Sequence, residues 1–171
     1  MKGLVIVNTG DGKGKTTAAF GTAFRAAGHG KRVAIVQFIK GPWDYGEVKA
    51  AESFPNITLE RIGSGFTWLA DDPEEPRRLA REAWERSQEL AMSDRYDLLV
   101  LDELDCALSE GYVGVDEVLS LLSRRPERLS VIITGRGAPA ELIEAADTVT
   151  EMRCIKHAYD SGTPARRGIE Y

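Results

Sequence analysis

The chain is poor in residues that build metal clusters and covalent frameworks. Of its 171 residues only two are Cys, Cys106 and Cys154, and two are His, His29 and His157. The cysteines form no C-x-x-C pair, which excludes a disulfide framework, and no zinc cluster of usual ligand spacing can be assembled. Long apolar runs are also missing. The first, Leu4–Val7 behind Lys2, stops at Asn8, too short for the apolar region of a signal peptide or for a membrane span. Positive charge is not in excess: 22 Lys and Arg against 27 Asp and Glu leave a net charge of −5. That balance speaks against nucleic acid as a partner and leaves room for a small anion in one local basic site. There is no internal repeat, low-complexity segment or lipidation motif. The expectation is a reduced, cytoplasmic protein with no membrane partner, forming a single domain over 1–171. Its 43% hydrophobic and 29% charged residues suit an ordinary globular core.

What is present is an alternation. Short, nearly continuous apolar runs at Leu4–Val7, Val33–Phe38, Leu98–Leu101 and Leu129–Ile133 read as strands buried on both faces. Weaker strands are expected at Ile57–Ile62 and Thr148–Met152. Helices are expected over Thr16–Ala27, Pro73–Ala91, Val115–Ser123 and Ala140–Ala146. The second of these has Asp71 and Asp72 as caps, a proline in its first turn and a stripe of Leu79, Ala83 and Leu90. Gly28 and Gly30 stop the first helix. Strands alternating with helices imply an α/β fold with a mostly parallel sheet flanked by helices. The irregular stretches Lys40–Glu47, Gly63–Asp72 and the tail from Lys156 each follow a strand. Ligands of open parallel sheets bind at that end.

The strongest motif, Gly10-Asp11-Gly12-Lys13-Gly14-Lys15-Thr16-Thr17, lies between the first strand and the first helix. Glycines let successive N–H groups turn toward phosphate oxygens, and the helix N-terminus adds partial positive charge. Lys15 supplies a point charge and the Thr16 hydroxyl suits Mg²⁺. The common pattern G-x-x-x-x-G-K-[ST] departs at its first glycine, where Thr9 stands; Lys13 is an additional cation. A second motif, Leu98–Leu101 followed by Asp102 and Glu103, ends a strand in carboxylates near the expected metal. In ATPases an Asp-Glu pair of this kind also activates water through the Glu, so two roles for Glu103 stay open. No [NT]KxD element exists in the chain, which favours an adenine over a guanine nucleotide.

Further signals are Gly63-Ser64-Gly65-Phe66-Thr67-Trp68 and Thr134-Gly135-Arg136-Gly137. Phe66 and Trp68 fall on one side of an extended loop; they either cover a flat apolar ligand or pin the loop to the core. Arg136 is a cation suited to bidentate phosphate contact, the alternative being a structural salt bridge. Trp84, inside a helix, reads as packing. His157 is either a base or ligand, or a satisfied polar residue.

Taken in order, these pieces resemble one family, the ATP:corrinoid adenosyltransferases of the CobA/CobO (BtuR) type. The landmarks are TGDGKGKTTAAFGTAFRAAGHGK at 9–31, VQFIKG at 36–41, GSGFTW at 63–68, LVLDEL at 99–104, VIITGRG at 131–137 and KHAYDSGTPARRGIEY at 156–171. The resemblance implies a RecA-like P-loop nucleotide-binding fold, a homodimer, and Mg²⁺- or Mn²⁺-dependent transfer of the 5′-deoxyadenosyl group of ATP to the cobalt of a reduced corrinoid, releasing triphosphate. The alternative weighed beside it is a P-loop ATPase releasing ADP and phosphate. By motif, Gly10, Asp11, Gly12, Lys13, Gly14, Lys15, Thr16 and Thr17 hold the triphosphate, and Arg25 contacts the nucleotide. Thr16 and Glu103 serve the metal, with Asp102 as a second acidic candidate. Lys15 and Arg136 stabilise the leaving group, while Phe66 and Trp68 fill the lower face of the corrinoid and keep cobalt four-coordinate. A flavoprotein reductant is also implied. Two departures stand out: some relatives carry an N-terminal extension over the corrinoid that is not seen here, and the segment DCALSEGYVG at 105–114 lacks the expected aromatics.

Overall fold

A computed structural model describes residues 1–38, 45–63 and 74–171. Six strands form one sheet: β1 (Val5–Thr9), β2 (Val33–Gln37), β3 (Ile57–Arg61), β4 (Leu98–Asp102), β5 (Ser130–Thr134) and β6 (Thr148–Glu151). Their spatial order is β3-β2-β4-β5-β1-β6, and every neighbouring pair is parallel. The helices are α1 (Lys15–Gly28), α2 (Gly46–Glu52), α3 (Glu75–Met92), α4 (Leu104–Ser109), α5 (Val115–Arg124) and α6 (Ala140–Ala145). The expected parallel α/β architecture is therefore the observed one.

The sheet is sandwiched by two apolar clusters. Trp84 and Leu90 of α3, Leu104 and Ala107 of α4, Val118 and Leu121 of α5 and Leu142 of α6 pack with Val7, Val36, Leu101 and Ile133 on one side. On the other, Ala19, Phe20, Ala23 and Ala27 of α1 meet Val33, Ile35, Val100 and Ile132. Small alanines on α1 let its axis approach the sheet closely, which brings its N-terminus over the ends of β1, β4 and β5. Trp84 is completely buried, as its helical position suggested.

Several boundaries shift in an instructive way. β1 runs on to Thr9 and β4 to Asp102, past their apolar runs, because the polar end residues are paired in the ladder. Asn8 pairs with Thr134 on one side and Thr150 on the other, and Asp102 pairs with Gln37. Leu4, expected in the first strand, is instead 48% exposed. α3 starts at Glu75 with Pro76 in its first turn, while Asp71, Asp72 and Pro73 lie outside the described residues. Of its expected stripe, Ala83 and Leu90 are buried and Leu79 is half-buried. Helices α2 and α4 were not legible as periodic patterns, since neither exceeds 7 residues. In the tail, Ala158–Ser161 form a single 3₁₀ turn. Among the described residues no helix is long and apolar enough to cross a membrane.

Truncating Trp84 to Ala removes the largest fully buried side chain, at a cost of about 3–5 kcal/mol. Urea unfolding should show this as a lowered midpoint with an unchanged slope.

Candidate active site

The phosphate loop takes its shape from a brace behind it. The chain stays extended through Thr9, whose C=O accepts the Met152 N–H at 2.8 Å and whose hydroxyl accepts the Ala138 N–H at 3.1 Å. It turns only at Gly10, with φ +93°, and there a Cβ would lie 2.5 Å from the Met152 carbonyl oxygen. This explains the departure from the common pattern: the turn falls one residue later, so glycine is needed at 10 and Thr fits at 9. Gly12 lies equally close, its N–H donating to the Met152 carbonyl at 2.6 Å, where a Cβ would come within 2.7 Å of Arg153 backbone. Gly14, at φ +113°, caps α1, whose first turn carries no acid. The positive end of the helix is left free to face an anion.

Opposite the loop, the ends of β2, β4 and β5 meet on one buried carboxylate. Asp102 is completely buried. Its Oδ1 accepts from the Thr16 hydroxyl at 2.8 Å and the Thr134 hydroxyl at 2.7 Å, and its Oδ2 accepts from Gln37 Nε2 at 2.8 Å. Thr134 also accepts the Glu103 N–H at 3.0 Å. That bond holds Glu103 in the left-handed region, at φ 65°, a conformation costing about 1–2 kcal/mol for a residue with a Cβ. The turn brings Glu103 to the wall of a cavity of about 380 Å³, together with Asp11 to Thr17, Cys106, Thr134, Gly135, Arg136 and, from the tail, Ile169 and Glu170.

Lys13, Lys15 and Arg136 line this cavity together with the acids Asp11, Glu47, Glu103 and Glu170. Lys15 Nζ donates to the carbonyls of Gly10 and Gly12 at 2.6 and 2.7 Å. Burial lowers its pKa from the usual 10.5, and the nearby Arg136 guanidinium acts in the same direction. Such an ammonium gains from any anion that enters. Lys13 forms an ion pair with Glu170. A second cavity of about 370 Å³ adjoins the first, sharing Thr16 and Thr17 and walled by Phe20, Phe24 and Tyr171.

With this geometry established, comparison with known proteins is decisive. The family model described as "ATP:corrinoid adenosyltransferase BtuR/CobO/CobP" matches residues 1–171. The chain belongs to the ATP:corrinoid adenosyltransferase family. It is 45% identical over 170 residues to the corrinoid adenosyltransferase of Escherichia coli K12, covering 99% of this chain and 86% of that one. Identity to the enzyme of Salmonella typhimurium is 44% with the same coverage. The enzyme of Pseudomonas aeruginosa is 43% identical, over 99% of this chain and 84% of its own. A solved RadB recombinase superposes with a TM-score of 0.51 at 20% identity, over 88% of this chain and 74% of that one, a likeness of RecA-like fold alone. The adenosyltransferase moves the adenosyl group of ATP to a corrinoid, and the hydrolytic alternative is not favoured.

The structure gathers most residues singled out in the sequence. Asp11 to Thr17, Glu103 and Arg136 wall one cavity of the adenosyltransferase, with Gly10 and Asp102 directly behind it. Arg25 is not brought there: it is exposed in the last turn of α1, about 15 Å along the axis from Lys15. Phe66 and Trp68 lie outside the described residues. Three residues without an assigned role belong to the site: Gln37, Thr134 and Asp105. Gln37 ends an otherwise apolar strand, VAIVQ, and a polar residue there is the signal that marks it.

Asp105 is the anomaly. It is completely buried, and among the described residues neither carboxylate oxygen has a hydrogen-bond partner. Burial raises its pKa from the usual 3.8 to about 7, partly opposed by Lys15. The folded state therefore holds a proton that the unfolded chain has released. Stability falls as pH rises from about 4 to about 7 and is flat beyond. Asp105→Asn should remove that slope: in thermal melts the gain in Tm is large at about pH 8 and vanishes near pH 4.

Proposed function

We propose that ATP lies with its triphosphate against Gly10–Thr17 and its ribose C5′ turned to the corrinoid, so that the whole triphosphate leaves. The observation that carries this reading is the convergence of Lys15, Lys13, Arg136 and the acid-free start of α1 on one cavity. The Co(I) electron pair forms the Co–C5′ bond as the C5′–O bond breaks, and the bonding electrons pass to the triphosphate oxygen. Charge thus gathers where the protein has placed its cations. No protein base is required, because the nucleophile has no proton to lose.

A divalent ion fits the donor set. Thr16 commits its hydroxyl proton to Asp102, leaving its oxygen lone pairs for a cation, and Glu103 stands on the same wall. Among the described residues no group of three or more His, Cys, Asp and Glu would hold a metal alone. The oxygen donors of Thr16 and Glu103 suit Mg²⁺ (or Mn²⁺), which takes few protein oxygens. In this reading Thr16 and Glu103 hold the ion, and the buried Asp102 orients Thr16 rather than meeting the ion directly. Held there, the metal would supply positive charge to the triphosphate.

Further parts of the reading rest on the family resemblance. Phe66 and Trp68 fill the lower face of the corrinoid, a role that excludes an axial ligand and leaves the redox chemistry to the cofactor-like substrate. Arg25, which lies outside the cavity, is carried as a nucleotide contact by the resemblance alone; the enzyme works as a cytoplasmic homodimer, and a flavoprotein delivers the electron.

Lys15→Ala should lower kcat about 10²–10³-fold in anaerobic assays with preformed cob(I)alamin; near-normal turnover would sink the loop assignment. Product analysis of the native enzyme should give one triphosphate per light-sensitive alkylcobalamin, whereas ADP and phosphate without a spectral change would support hydrolysis. Phe66→Ala or Trp68→Ala should impair turnover from Co(II) plus reductant far more than from preformed Co(I). Equal losses would mean that the pair only packs its loop.

A further inference from the structure

Gly168–Tyr171 line the second cavity and two of them, Ile169 and Glu170, line the first as well; Glu170 holds a cation of the phosphate loop. The Glu170 carboxylate pairs with Lys13 Nζ, the two side chains being 22% and 56% exposed. The Lys13 hydrogen bond is the main cause holding the Glu170 carboxyl below its usual range; His157 and Arg166 add smaller contributions of the same sign. The segment is folded on itself: Gly168 N–H donates to the Tyr171 carbonyl at 2.8 Å, and Glu170 N–H donates to the Arg166 carbonyl at 2.8 Å. These backbone bonds stay within residues 166–171 and are no part of the sheet ladder, so the turn keeps its own shape whether or not Glu170 holds Lys13.

We propose that Glu170 is a positioning residue that sets the affinity for ATP, holding Lys13 until the triphosphate takes that ammonium and displaces the 168–171 turn. The proposal rests on reading the loop as the triphosphate site. Its logic is competition between like charges: a carboxylate carries one negative charge and the triphosphate several, and both seek the same lysine. Because exposed pairs of this kind are weak and screened by salt, the carboxylate tempers affinity without blocking entry. As the turn is also a wall of the second cavity, its departure reshapes both spaces at once.

The test uses the full chain. Glu170→Gln should lower the Kd and KM for MgATP about two- to five-fold, the range expected for a weak exposed pair. kcat should move less than KM, Glu170→Asp should restore the native values, and the difference should shrink at high salt. In limited trypsin digestion of the native protein, MgATP should accelerate cleavage after Arg166 and Arg167, read by mass spectrometry as release of fragments beginning at Arg167 and Gly168. An unchanged or raised Kd in Glu170→Gln, with normal MgATP binding by the native chain, would overturn this inference alone. So would protection of those bonds by MgATP, which would make the turn a lid over the nucleotide. Absence of MgATP binding by the native chain in calorimetry would overturn the loop reading as well.

Discussion

The buried carboxylate of Asp102 is the point at which the site and the fold are joined. It sits at the end of β4, accepts from Gln37 on β2, Thr134 on β5 and Thr16 on α1, and so ties three strands to the helix that carries the phosphate loop. A buried charge is tolerated only when its lone pairs are satisfied, and these donors satisfy it. Each donor is in turn fixed by it. Thr16 is oriented with its oxygen free to accept, and Thr134 is held so that it can also receive the Glu103 N–H. Removing Asp102 would leave buried hydroxyls and an amide without acceptors and release the strained turn at Glu103.

β5 between the loop strand and the acid strand makes this arrangement reachable. The Thr134 hydroxyl joins the end of β5 to that of β4, as donor to Asp102 and acceptor from the Glu103 N–H. A residue that could only donate or only accept would break the relay from Glu103 to Asp102.

How far the sequence revealed this depends on the residue. Lys15, Thr16, Asp102 and Glu103 were legible because a glycine-rich turn before a helix and an acid-ended apolar strand follow directly from local backbone requirements. Arg136 was legible for the same reason, flanked by glycines at a strand end. The role of Gln37 was hidden because its partner is 65 residues away, and only the strand order brings them together. Asp105 was unreadable as a buried acid: an Asp after a strand end ordinarily reads as a solvated turn, and only the approach of β5 and Gly135 seals it. Helix α4 escaped because 6 residues are too few to show a period.

The brace behind the phosphate loop comes from the least protected strand. All four residues of β6 are exposed, among the described residues it pairs only with β1, and its continuation, Met152 and Arg153, is what Gly10 and Gly12 rest against. Sheet edges ordinarily open most readily, so here the fraying equilibrium of an edge and the geometry of the proposed nucleotide site are one thermodynamic system. Binding that requires the closed loop must suppress opening of the edge. By reciprocity, whatever clamps the edge tightens the nucleotide by the same factor.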